Sequence, residues 1–329
     1  MMSAAAQNRQ FPFAGAAILW AGLLLFGIFA GLWLGYGGRR FVVAMIVAAV
    51  LLGGELFLAS PRTRDRILGF LSGRAFFLAA LAPLCAFLIY ALIGREIGWI
   101  EAGAGVLYVV IPALLAASAR GKSTGCWEDY AALLIIWLPV EFRWMYRLWP
   151  FPHELTHTLT ILFAVNTAIA VFLAIRRFEG VGYGVEWRRG FGWAVAINFL
   201  LLAIIIIPLG EAIHFIHFGP TAHSLKATPL TGLEILVFTA WPEEFLFRGL
   251  LQNLLSRSMK NRYAGWIVAS VIFGFSHILH APAPNWKYVF LATIAGLFYG
   301  RAWMKTESLF PGAIVHALVD TIWFGFFPR

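Results

Sequence analysis

The chain alternates long apolar runs with short basic clusters. Mostly apolar stretches lie at roughly 12–36, 41–59, 75–94, 102–118, 130–148, 157–175, 190–209, 229–255, 263–281, 286–303 and 308–326. A helix needs about 20 such residues to cross the hydrocarbon of a bilayer. Lipid admits only elements whose backbone groups are satisfied internally. The pattern therefore predicts an all-α, polytopic transmembrane helical bundle of eight to eleven spans. The run at 130–148 is interrupted by Glu141 and Arg143, and some short runs are candidates for re-entrant segments. Between Arg9 and Arg39 there is no Lys, Arg, Asp or Glu. That stretch is longer than a signal-peptide core and has no clear cleavage site, so it is expected to be a retained first span.

The loops orient these runs. Arg62, Arg64, Arg66 and Arg74 follow the second, Arg120 and Lys122 the fourth, and Arg176, Arg177, Arg188 and Arg189 the sixth. Arg257, Lys260 and Arg262 follow the eighth, and Arg301 and Lys305 the tenth. Basic residues at every second exit fit the positive-inside bias and predict eleven spans with a cytoplasmic N-terminus. Arg39 and Arg40 are the exceptions.

Composition agrees with this reading. Hydrophobic residues make up 61% of the 329 and charged residues 12%, against about 25% charged in soluble domains. The net charge is +9, but the basic residues sit between apolar runs and form no patch interleaved with stacking aromatics. A nucleic-acid partner is therefore not expected. The expected surroundings are membrane lipid, in the plasma membrane or, for a bacterial source, the inner membrane. The 14 Trp, many near run ends, suit interfacial belts. Cys85 and Cys126 have no neighbouring Cys or His pattern, so neither a disulfide framework nor a thiolate zinc site is indicated. The stretch 210–228, with His214, His217, Pro220 and His223, breaks the apolar pattern. It separates an N-terminal transmembrane region, 1–210, of no assigned role from a core at 229–326 that is dense in intramembrane polar residues.

A charge inside a span is expensive and calls for a reason. Three clusters do so here, all after residue 229. The first is Pro242-Glu243-Glu244-Phe245-Leu246-Phe247-Arg248. Residues four apart share a helix face, so Glu244 is expected to pair with Arg248. Glu243 is turned about 100° away and is expected to serve as a base. A snorkelling ion pair would explain Glu244 and Arg248 but not Glu243. The second cluster is Phe273 to His277, in a stretch without charged residues. The third is His316 to Asp320, where a carboxylate one turn from an imidazole can fix its tautomer or help to hold a metal or a water. Each of the last two, taken alone, also reads as helix-packing polar residues. Together, Glu243, His277, His316 and Asp320 come from three separate helices. They can hold a water, deprotonate it and stabilise an oxyanion, which is what peptide hydrolysis needs.

Glu-Glu-x-x-x-Arg, then Phe-x-x-x-His, then His-x-x-x-Asp, in this order in a hydrophobic chain, resembles the CAAX- and bacteriocin-processing (CPBP, Abi) intramembrane protease family, which includes the Rce1-type CAAX prenyl proteases. The resemblance spans roughly 230–326. It implies an endopeptidase acting on a peptide or protein substrate. Glu243 would activate water, with Glu244, Arg248 and Phe273 in support. His277 and His316 would be water, oxyanion or metal ligands, and Asp320 would orient them. Asp320 stands where the Rce1-type enzymes carry Asn. The resemblance leaves open whether zinc, another divalent metal or no metal takes part.

Residues 153–157, His153-Glu154-Leu155-Thr156-His157, match the HExxH pattern of zinc proteases. They follow Trp149-Pro150-Phe151-Pro152 at a membrane edge, and no third ligand motif lies downstream; His214, His217 and His223 are the histidines left to complete such a site. An HExxH membrane metalloprotease is therefore one alternative. A non-catalytic membrane scaffold and a proton-coupled transporter are the others. A protease site closes around one water, whereas a proton relay forms a file across the membrane.

Overall fold

The computed structural model describes residues 13–71, 73–94 and 97–327. Arg9 and the start of the first apolar run lie outside these. Among the described residues the regular elements are all helices, with no β-strand. The chain divides into two compact units, Met1–Glu179 and Gly180–Arg329. The second unit thus takes in residues 180–210, which the sequence reading placed in the N-terminal region.

The first unit holds α1 (Phe13–Trp33), α2 (Gly38–Leu58), α3 (Pro61–Phe70), α4 (Leu81–Ile89), α5 (Trp99–Ser118), α6 (Trp127–Glu141) and α7 (Thr156–Ala168). The helix of α7 continues as a π segment, Ile169–Ile175. The core of this unit is aromatic: Phe163, Phe87 and Trp149 form a triangle, with Phe163 5.4 Å from Phe87 and 5.3 Å from Trp149 between ring centroids. Buried phenols need partners, and the Tyr108 hydroxyl donates to the Ile136 carbonyl at 2.7 Å. The acidic first turn of α6 suits a helix N-terminus. Asp129 there meets Arg176 at 2.7 Å, and Lys122 pairs with Glu128. Arg176 also donates to the Lys122 and Ser123 carbonyls, both at 3.1 Å. One guanidinium thereby fastens the α5–α6 loop to the end of the α7 helix.

The second unit holds α8 (Phe191–Ala212), α9 (Ala222–Ile235), α10 (Trp241–Glu244), α11 (Asn253–Ser258), α12 (Arg262–Phe275), α13 (Trp286–Thr306) and α14 (Leu309–Phe326). Two π segments, Leu236–Ala240 and Phe245–Gln252, join α9, α10 and α11 into one continuous helix. Its N-terminus is closed by a reciprocal capping box between Thr221 and Ser224. Asn261, Asn285 and Ser308 cap α12, α13 and α14. α13 packs on α8, α12 and α14. The α12–α13 approach needs Gly274, where a Cβ would lie 1.9 Å from Thr293 Oγ1.

Each of the eleven predicted runs holds a helix among the described residues, and seven of the helices are long and apolar enough to cross a membrane. The protein is an integral, multi-pass membrane protein. The other four runs differ for visible reasons. α6 has 15 residues and opens with Glu128 and Asp129. The 222–258 helix carries the charged cluster. α13 carries Lys287, Arg301 and Lys305. α12 has 14 residues and ends at Phe275, short of the predicted 281. Its end has a local cause. Ser276 Oγ lies 2.8 Å and His277 Nδ1 2.9 Å from the Phe273 carbonyl, the acceptor that a continuing helix would need. His277 N–H turns to the Gly274 carbonyl instead, at 3.1 Å.

Candidate active site

Glu243 and Glu244 lie in α10, between the two π segments. A π turn shifts the helical phase and often marks a functional site. Arg248 is four residues on, and its Nε lies 3.2 Å from Glu244 Oε2, with side chains 1% and 0% exposed. The guanidinium sits 4.4 Å over the Phe273 ring, and its Nη2 donates to the Gly296 carbonyl at 3.4 Å. A pair so fully buried persists only when both charges find partners.

α14 brings His316 onto this pair. His316 Nδ1 is 3.1 Å from Glu244 Oε1. Its Nε2 is 3.8 Å from Glu243 Oε2 and 3.5 Å from Asp320 Oδ2. The imidazole is 4% exposed, whereas the Glu243 and Asp320 side chains are 32% and 27% exposed. One carboxylate is therefore sealed behind the ring, and two are open in front of it. Gly312 permits this approach, because a Cβ there would lie 3.1 Å from Glu244 Oε2 and 3.3 Å from the Tyr299 carbonyl oxygen.

His277 stands in the turn after α12, with Nδ1 against the Phe273 carbonyl. That oxygen only accepts, so Nδ1 carries a hydrogen, and in the neutral ring Nε2 then keeps a lone pair. The Phe273 ring links the groups, with its centroid 4.9 Å from His277 and 5.7 Å from His316. The structure thus gathers Glu243, Glu244, Arg248, His316 and Asp320 by direct polar approach. His277 joins them across Phe273.

Two residues that the sequence reading passed over complete the surroundings. Tyr299 stacks on His316, with centroids 4.5 Å apart and planes 14° apart. Tyr288 lies 4.4 Å from His277. Both belong to α13, where a tyrosine in an apolar helix reads as an ordinary interfacial residue.

Among the described residues, no group of three or more His, Cys, Asp or Glu could hold an ion. Both nitrogens of His316 already face carboxylates, and His277 Nδ1 faces a carbonyl. Of the HExxH residues, His153 and Glu154 lie in a 3₁₀ turn, His153–Leu155, that runs directly into α7, where His157 lies. The Tyr36 hydroxyl donates to Glu154 at 2.5 Å, and the Tyr146 hydroxyl lies 2.8 Å from His157 Nδ1. His214 and His217 stack on each other in a loop of the second unit, with ring centroids 6.1 Å apart. The side chain of His223 lies outside the described residues.

Residues 225–322 match the family model described as type II CAAX prenyl endopeptidase Rce1-like. The match falls within the second unit and contains every member of the cluster. No curated protein and no solved structure matches the chain.

Proposed function

We propose that the second unit is an intramembrane endopeptidase of the CAAX type, which hydrolyses a peptide bond in or near the membrane with a water activated by Glu243. The observation that carries this reading is the convergence of Glu243, Glu244 and Asp320 on one imidazole, with two of the three carboxylates open. Glu243 takes a proton from water while the water oxygen bonds to the scissile carbonyl carbon. His277 Nε2, with its lone pair, accepts from the same water and holds it. Charge grows on the carbonyl oxygen, and His316 Nε2–H donates to it. Asp320 keeps that N–H in line, and Glu244 holds the opposite edge of the ring. When the carbon–nitrogen bond breaks, Glu243 passes its proton to the leaving amine. Arg248 and Phe273 hold Glu244 and the two histidines in register.

This assignment uses no metal. The groups gather at one point rather than in a file along a helix axis, which supports a reaction centre over a proton relay. The substrate class is a peptide or protein presented at the membrane. The test uses the full-length protein in lipid vesicles, a prenylated C-terminal peptide as probe, and mass spectrometry of the products. Cleavage is expected from the wild type, with a loss of about 10²- to 10⁴-fold in Glu243→Gln, the range for a general base. Equal cleavage by both would overturn the reading.

A further inference from the structure

The tyrosines of α13 stand in a relation that the catalytic scheme does not use. Tyr288 and Tyr299 are eleven residues apart. At 100° per residue, eleven residues bring the chain to within about 20° of the same face, three turns on. Each ring lies against one of the two histidines contributed by other helices, Tyr288 against His277 on the turn after α12 and Tyr299 against His316 on α14. Between them this face carries Ala292, Ala295 and Gly296, all buried, so α12 comes close. Gly296 sits where a Cβ would lie 3.1 Å from the Phe273 ring and 3.3 Å from Ser270.

We infer that Tyr299 and Tyr288 are positioning residues, which fix the ring planes of His316 and His277 for the hydrolysis proposed above. The two contacts differ in kind. Tyr299 is 1% exposed and nearly parallel to His316. Phe273 meets the same imidazole edge-on, at 87°. The hydrogen bond to Glu244 and the approach of Asp320 define where the ring nitrogens lie, but a ring can still tilt about the line that joins them. A flat surface on one face and an edge at right angles remove that freedom. A neighbour that merely fills space has no need to be parallel. Tyr288 is half-buried and tilted by 58° from His277, so it constrains its ring less.

The inference rests on the proposed reaction, so its test needs one readout that does not require cleavage. Full-length protein with ¹⁵N-labelled histidine in detergent micelles gives the ring-nitrogen signals, and the His316 set is assigned by its loss in His316→Ala. The variants are Tyr299→Phe, Tyr299→Leu, Tyr288→Leu and, as a packing control, Leu291→Ala. Leu291 is buried on α13, and its side chain lies against Gly210 of α8. Tyr299→Leu is expected to broaden or split the His316 signals, while Tyr299→Phe and Leu291→Ala leave them sharp. In the vesicle assay, Tyr299→Leu is expected to lower kcat about 10-fold per folded molecule, with KM within about twofold, because a small misplacement of a reacting group is costly. Tyr299→Phe is expected to stay within about twofold, and Tyr288→Leu to fall between the two. Sharp His316 signals in Tyr299→Leu would overturn the inference, as would equal losses in the Phe and Leu variants. If the wild type cleaves nothing while the signals respond as expected, the proposed reaction fails and the positioning role stands.

Discussion

In the first unit, Asp129 meets Arg176 at 2.7 Å, with side chains 1% and 8% exposed, and Lys122 closes on Glu128. Each acid of that cluster faces its own base. In the second unit, three carboxylates surround one imidazole and one guanidinium, and two of the three are partly open. The first arrangement matches charge for charge and ties a loop to a helix end. The second keeps an excess of acid directed at one point, which is costly in a membrane unless it is used.

This comparison can be broken in graded steps. The largest effect is expected from His316→Ala, which leaves Glu243, Glu244 and Asp320 facing one another. Cleavage of the vesicle probe should fall by about 10³-fold or more, through the loss of both the donor and the geometry around it. Next is Arg248→Gln, which strands the sealed Glu244. Removing one partner of a buried pair costs about 3–5 kcal/mol, so thermal unfolding in detergent should show a large drop together with lost cleavage. A variant that melts like the wild type would count against the sealed pair. Asp129→Asn should cost a few kcal/mol of stability, roughly in the same range, yet leave kcat per folded molecule unchanged. A loss of kcat there would mean that the matched cluster does more than hold the fold.

The smallest effect concerns pH. The hydrogen bond from Lys122 holds the Glu128 carboxyl down to about 2, from an ordinary 4.5, with a further contribution from Cys126. A depressed carboxyl contributes stability that is fully present above its unfolded value and lost as pH falls through the folded one. Wild-type melting should therefore fall between about pH 4.5 and 2, and Lys122→Gln should flatten that fall. Parallel curves for the two proteins would assign the acid sensitivity elsewhere.

Much of this was legible in the sequence because helical spacing is local. Four-residue spacing placed Arg248 beside Glu244 and Asp320 beside His316, and both pairs form. Basic loops and apolar runs delimited the helices. What spacing cannot encode is contact between helices. Glu244 and His316 are 72 residues apart, and nothing in either motif says that the sealed carboxylate rather than Asp320 takes Nδ1. Tyr299 was invisible for the same reason, since its partner lies on another helix. The end of α12 was misplaced because apolar continuity at 263–281 says nothing about two side chains competing for the Phe273 carbonyl. HExxH shows the converse. Its letters are right, but they do not say that Glu154 meets Tyr36 and His157 meets Tyr146.

The most direct test of the central claim sets one glutamate of each unit against the other. Wild type, Glu243→Gln and Glu154→Gln are reconstituted at equal folded amounts in lipid vesicles, and the rate of peptide-bond cleavage of the prenylated probe is followed by mass spectrometry. The account expects Glu154→Gln to match the wild type and Glu243→Gln to lose about 10²-fold or more. Loss in Glu154→Gln with activity retained in Glu243→Gln would place the chemistry in the first unit and contradict it.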